Sequence, residues 1–263
     1  MSEFGEKEGF ELFAVGREEL DVSDFEALEK MFHDISPDVV INCVAYTKVD
    51  QAETEREAAV LLNAELPGVL MELCKRCNAT LIHFSTEYVF NGENEQGYSE
   101  ENIYSPINFY GESKMLGEKA VMEGGGKFYL IRTSWLFGPN GKNFVDTMVG
   151  LIKSRDELSV VTDQVGSPTY SVDLACAVID NFLSVTPPSP GIYHLTNSEV
   201  CSRYEWVEEM VNIIGRKIEL NGVTSDAFPL PAKRPACSIL LNTKLPAIRS
   251  WKLALEAYIK LHF

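Results

Sequence analysis

Residues Asp38–Cys43 read D-V-V-I-N-C, a nearly unbroken β-branched apolar run between Pro37 and a polar loop. A run without a polar alternate face suits a strand covered on both sides, the habit of parallel sheets flanked by helices. The rest of the first half repeats the pattern. Phe10–Val15 (F-E-L-F-A-V), Ala79–Phe84 and Phe128–Thr133 also read as strands, and helical segments separate them. Ser23-Asp24-Phe25-Glu26 has the form of a capping box and starts a helix whose apolar face is Phe25, Leu28 and Phe32. A long helix follows the loop Ala45–Glu53 and runs to about Cys77, another carries Tyr110 and Lys114, and Met1–Gly9 has the look of a helix tail. Strand and helix alternating with short joints predict an α/β fold built on a doubly wound parallel sheet.

Beyond Gly141 the alternation loosens. A helix (Asn143–Lys153), a short strand (Leu158–Val161), the loop D-Q-V-G-S-P-T (Asp163–Thr169) and a helix (Ser171–Leu183) precede a proline-rich joint. Strand Ile192–Leu195, helix Arg203–Ile214 and an amphipathic helix over Trp251–Leu261 complete the chain. The expected division is a sheet-bearing domain of residues 1–140 with about 158–195, and a smaller C-terminal lobe of about 141–157 with 196–263.

Composition narrows the partners. A formal charge of -16 argues against nucleic acid, which needs a basic face, but leaves room for a small anion met by local cations. No apolar run is long enough to span a membrane, and Met1–Glu8 is too acidic for a signal peptide, so a cytoplasmic protein is expected. The six cysteines have no framework spacing and read as reduced thiols. Cys74 and Cys77 form a C-x-x-C without the second pair or histidine of a metal site, and the four histidines are dispersed.

In a doubly wound sheet, ligands bind beyond the carboxyl ends of the strands. That rim gathers Gly16-Arg17, Ala45-Tyr46, Ser85-Thr86 and Ser134-Trp135. Tyr110 and Lys114, four apart, share a helix face. A phenol of ordinary pKa about 10 is a poor acid near neutrality, and an adjacent ammonium brings it closer to the working range. A hydroxyl pair at a neighbouring strand end could hold a substrate oxygen against that phenol. The spacing alone also fits an ordinary exposed helix face. Gly124–Gly126 follow a helix and precede a strand, which makes them a turn; a phosphate cradle needs the opposite order.

With the segments placed, the chain resembles the dTDP-4-dehydrorhamnose reductase family of extended short-chain dehydrogenase/reductases from Phe10 onward. The shared motifs are P-D-V-V-I-N-C-V-A-Y-T-K-V-D-Q-A-E (Pro37–Glu53), F-S-T-E-Y-V-F-N-G (Phe84–Gly92), Y-G-E-S-K-M-L-G-E (Tyr110–Glu118), I-R-T-S-W-L-F-G (Ile131–Gly138), D-Q-V-G-S-P-T-Y (Asp163–Tyr170) and Arg234-Pro235. The resemblance implies a Rossmann-like dinucleotide-binding domain with a substrate lobe, and NAD(P)H-dependent reduction of the 4-keto group of dTDP-4-dehydro-L-rhamnose to dTDP-L-rhamnose. It implies Thr86, Tyr110 and Lys114 as catalytic residues. NADPH or NADH would be held by Arg17, Asp21, Val22, Ala45, Tyr46, Ser85, Tyr110 and Lys114, with Arg17 favouring NADPH through the adenosine 2'-phosphate. The nucleotide sugar would meet Ser85, Thr86, Tyr88, Trp135, Asn143 and Arg234. A homodimer, and Mg2+ on an acidic patch at its contact, are left open.

The sequence departs from the family pattern at Glu87 and Asn91, where the family usually has Asp. It departs further at the start. Phe10–Val15 already ends at the ribose-reader position, and neither Gly5 nor Gly9 follows an apolar strand, so the opening strand and glycine-rich loop are not recognisable. Because the first strand is central in the 3-2-1-4-5-6 order, two strands are expected to separate from the sheet, and this chain is expected to bind nicotinamide dinucleotide poorly. A non-catalytic regulatory or binding subunit of the same fold, and a nucleotide-sugar epimerase or dehydratase, are the alternatives.

Overall fold

The structure, a computed structural model, describes residues 9–263; the expected helix tail before Gly9 lies outside the described residues. Helix α1 (Phe25–Ile35) starts one residue later than the capping box implies. Asp24 is the cap, accepting from the Ala27 amide at 3.0 Å, while the Ser23 hydroxyl donates to Asp21 at 2.7 Å. Strand β1 (Val39–Asn42) follows. The long helix expected to reach Cys77 is interrupted: α2 (Arg56–Val60) and α3 (Leu66–Cys77) are joined by a π-helical turn over Leu61–Glu65. Then come β2 (Thr80–Thr86), α4 (Phe109–Gly124) and β3 (Lys127–Thr133).

The second half contains β4 (Leu136–Phe137), α5 (Phe144–Ser154), β5 (Glu157–Val161), β6 (Val165–Gly166), β7 (Thr169–Tyr170), α6 (Ser171–Phe182) and β8 (Gly191–His194). It ends with β9 (Asn197–Ser198), β10 (Cys201–Ser202), α7 (Arg203–Ile214), β11 (Glu219–Val223), β12 (Cys237–Ser238), β13 (Ile248–Ser250) and α8 (Trp251–His262).

The main sheet is parallel, in the order β1-β2-β3-β8, with Val40 opposite Leu81, Ile82 opposite Tyr129 and Ile131 opposite Tyr193. Leu81 and its neighbours pack with Leu28, Phe32, Leu70, Met71 and Val121 from α1, α3 and α4; Ile82, Tyr129 and Ile131 pack with Leu174, Val178 and Phe182 of α6. Helices therefore cover both faces, as the doubly wound pattern requires.

Two strand expectations are corrected. Phe10–Val15 forms no strand: Phe10, Phe13 and Val15 are 41%, 54% and 43% exposed. Alternation supplies a face but not a ladder, and among the described residues no strand lies beside it to take its backbone groups. Asp38–Cys43, expected to be covered on both faces, pairs with β2 through β1 but lies at the sheet edge, with Val39 37% exposed. The run that reads as covered on both faces is only half covered.

The second lobe has its own core, in which Trp206 and Trp251 are buried with Phe137, Val149, Ile152 and Tyr258. Strand β5 pairs in parallel with β11, and Leu158 and Val160 enter this core, so residues 157–161 pack with the lobe rather than the main sheet. Among the described residues, no helix is long and apolar enough to cross a membrane.

Candidate active site

Strand β2 points successive side chains to opposite sides, and this separates the two hydroxyls that the sequence joins. Ser85 turns inward and donates to Glu118 Oε1 of α4. Glu118 is wholly buried and takes a multidentate grip from Arg132 of β3, with Arg132 Nη2 at 2.7 Å from Oε2 and Nε at 3.0 Å from Oε1. Ser85 thus commits its hydroxyl proton to a buried ion-pair network.

Thr86 ends the strand at the rim. Its Oγ1 accepts from the Tyr88 amide at 3.2 Å, starting the 3-10 turn Glu87–Val89, and donates to Glu87 Oε2 at 2.7 Å. The Glu87 side chain is buried. Burial raises its carboxyl to about 7, against the opposing pull of the Thr86 hydrogen bond and the Arg203 charge.

Asn108 caps α4 by accepting from the Gly111 amide at 2.8 Å, and its own NH2 donates to the Lys233 carbonyl at 2.8 Å in the second lobe. A Cβ on Gly111 would lie 2.1 Å from the Tyr88 carbonyl oxygen, so the absence of a side chain is what seats this first turn against Glu87-Tyr88. The Tyr110 ring meets Tyr88 edge-on, with centroids 5.3 Å apart. Burial, then the Glu87 charge, push the Tyr110 phenol above its ordinary value, while the Thr86 side chain pulls it down. Burial likewise carries Tyr88 up to about 12.

Lys114 is buried one turn further on. Its Nζ donates to the Phe84 carbonyl at 2.7 Å and lies 3.4 Å from His83 Nε2. Burial lowers the lysine to about 8, with Glu118 acting in the opposite sense. The expected lowering of the tyrosine by this lysine is therefore not present: the lysine is bound to β2, and the phenol is raised instead.

The loop after β1 is fixed by Asn63 from the π turn. Its Oδ1 accepts from the Tyr46 amide at 2.8 Å, and its NH2 donates to the Tyr46 carbonyl at 3.0 Å and to Ser113 Oγ of α4 at 2.9 Å. Ala45 is half-buried in the same loop, and the Tyr46 hydroxyl donates to Glu55 at 2.7 Å. Arg17, Asp21 and Val22 lie before α1 with local contacts. Arg17 is exposed, Asp21 accepts from the Ser23 amide and hydroxyl, and Val22 packs on the Leu28–Phe32 core.

Among the residues assigned to the sugar pocket, Trp135 adopts a left-handed backbone (φ 45°) and stacks on Trp206 at 5.5 Å. The Arg203 guanidinium sits 3.6 Å from the Trp135 ring centroid, a cation–π contact. Asn143 instead caps α5, accepting from the Asp146 amide at 3.0 Å. Arg234 is engaged by Asp50, with contacts of 3.0 and 2.7 Å, and joins the second lobe to the loop after β1. Sequence reasoning missed Arg203, Asn63 and His83. Arg203 had a usable signal: Ser202 and Glu205 form a capping box, which places Arg203 on the first turn of α7.

The sequence matches the family described as RmlD substrate binding domain over residues 1–262. It is 37% identical over 256 residues to the spore coat polysaccharide biosynthesis protein SpsK of Bacillus subtilis (strain 168), covering 96% of this chain and 89% of that one. It is 38% identical over 232 residues to dTDP-4-dehydrorhamnose reductase of Escherichia coli (strain K12), covering 85% and 77%. Among solved structures, the dTDP-4-dehydrorhamnose reductase of Bacillus anthracis str. Ames in complex with NADP superposes with a TM-score of 0.92 at 35% identity, covering 97% and 92% of the two chains. The Clostridium acetobutylicum ATCC 824 orthologue gives 0.93 at 36%, covering 99% and 93%. A shared parallel-sheet fold, a rim bearing Thr86, Tyr110 and Lys114, and matches along nearly the whole length make this chain a member of the RmlD substrate-binding domain family.

Proposed function

We propose that the chain reduces the 4-keto group of dTDP-4-dehydro-L-rhamnose to give dTDP-L-rhamnose, using a reduced nicotinamide dinucleotide. The observation that carries this is the convergence of Thr86, Tyr110 and Lys114 at the carboxyl end of β2 in a chain whose relatives bear the reductase name. The nicotinamide end of the cofactor fits the residues present: a phenol, a lysine and the anchored Ala45-Tyr46 loop border the same rim. The pyrophosphate end fits less well. Among the described residues, no main-sheet strand ends in a glycine-rich turn leading into a helix.

When bound, the cofactor supplies the hydride. The protein supplies the rest. Tyr110 gives its hydroxyl proton to the oxygen on which charge develops, and Thr86 donates to the same oxygen when Glu87 is protonated and releases its hydroxyl. Trp135 and Arg203 offer an aromatic face with a half-buried cation to the nucleotide sugar. An exposed Arg17 favours NADPH over NADH. Among the described residues, no group of three or more His, Cys, Asp or Glu could hold a metal ion, so no Mg2+ site is assigned.

Incubation with NADPH and the 4-keto sugar tests the assignment by absorbance. Cofactor oxidation equal to sugar consumed is the expected result. Sugar isomerised without net oxidation would indicate an epimerase, and sugar bound but unchanged would indicate a binding subunit.

A further inference from the structure

His83 of β2 is wholly buried between Asn42 of β1 and Lys114 of α4. One backbone amide settles where its proton lies. The Val44 N–H can only donate, and it meets Asn42 at Oδ1, 3.0 Å away. The Asn42 NH2 is thereby turned toward His83 Nδ1, at 3.1 Å. Nδ1 must accept, which puts the proton of the neutral ring on Nε2, the atom facing Lys114 Nζ. Nζ already donates to the Phe84 carbonyl. An ammonium at this position sets N–H against N–H, whereas an amine can turn its lone pair to the ring proton.

We propose that Asn42 and His83 are positioning residues for Lys114, holding an imidazole N–H toward it so that the site accommodates the neutral amine left after Lys114 returns a proton to Tyr110. This rests on the reductase assignment above and deepens it. In the step concerned, the Tyr110 O–H bond breaks as the sugar alkoxide takes the proton. An Nζ–H bond of Lys114 then breaks to restore the phenol. The amine accepts the hydrogen bond from His83 Nε2, and solvent later reprotonates it. The charges facing the pair are Glu118, one turn along α4, which favours the ammonium, and Arg132 of β3, which is committed to Glu118. Tyr110 lies one turn before Lys114 on α4. Burial and the nearby lysine push His83 well below its ordinary value, so the ring stays neutral while Lys114, lowered to about 8, titrates.

The test is nitrogen-15 NMR of the whole chain labelled at its four histidines, with His83 assigned by its loss in His83→Gln. The expected result is an Nε2–H tautomer whose ring nitrogens shift with a midpoint of about 8, a transition that disappears in Lys114→Met. In Asn42→Leu the freed ring can offer a lone pair to the ammonium, and the midpoint should rise by about one unit, with the pH profile of kcat moving alongside. An Nδ1–H tautomer, an imidazolium, or a transition that survives Lys114→Met would overturn the proposal. The tautomer is read on the unaltered chain and requires no turnover. An Nε2–H ring coupled to Lys114 in a chain that reduces no sugar would therefore count against the reductase assignment and in favour of the pair.

Discussion

A hydroxyl has one proton to give, and Thr86 gives it to Glu87 at 2.7 Å. Whether Thr86 can serve a substrate oxygen thus depends on the charge of a buried carboxyl raised to about 7. Below that pH, Glu87 is protonated and the Thr86 proton is free for the substrate. Above it, the carboxylate captures the hydroxyl and opposes negative charge on Tyr110. The rate of reduction should therefore fall as pH rises through about 7, by roughly a hundredfold if the loss approaches that of an oxyanion donor. In Glu87→Gln this limb of the kcat profile should disappear; if the variant keeps it, another group is responsible. A second residue-scale expectation concerns the ion pair behind Ser85. Arg132→Met leaves Glu118 buried without its cation, and urea unfolding should show a loss of about 3–5 kcal/mol.

Helix α4 owes its position to two glycines. A Cβ on Gly117 would fall 1.9 Å from the Asn63 carbonyl oxygen in the π turn, where backbone has to move. Gly117→Ala should cost about 1–3 kcal/mol by denaturant titration and disturb the Tyr46 loop that Asn63 holds. Gly150, on the exposed side of α5, has nothing within 4 Å of an added Cβ. Gly150→Ala should stabilise by about 0.5–1 kcal/mol through helix propensity, the opposite sign for the same substitution. Elements with strong periodicity were legible in the sequence: α7 spans Arg203–Ile214 as its apolar spacing indicates. The π turn was not, since a single inserted residue leaves no compositional mark. The fate of Phe10–Val15 depended on a partner strand, information that local alternation does not contain. Ser85 and Thr86 were legible as a pair, but their opposite directions followed from pleat geometry and from Glu118, thirty-three positions away.

At the scale of the molecule, the site is closed across the two lobes by Asp50 with Arg234 and by Asn108 with the Lys233 carbonyl. Tyr110 and Lys114 were readable as a pair because they lie one helical turn apart. Arg203 was readable as a first-turn residue of α7, but its approach to Trp135 followed only from tertiary packing. The cofactor residues proposed above lie on the rim with Thr86, Tyr110 and Lys114, and among the described residues no main-sheet strand ends in a glycine-rich turn leading into a helix. The central claim is direct reduction at the sugar carbon. Its most direct measurement uses saturating NADPH deuterated at the transferring position, with NMR of the sugar product. One deuterium on the carbon of the former 4-keto group for each cofactor oxidised is the expected result; a product without that label, or cofactor recovered with its label intact, would contradict it.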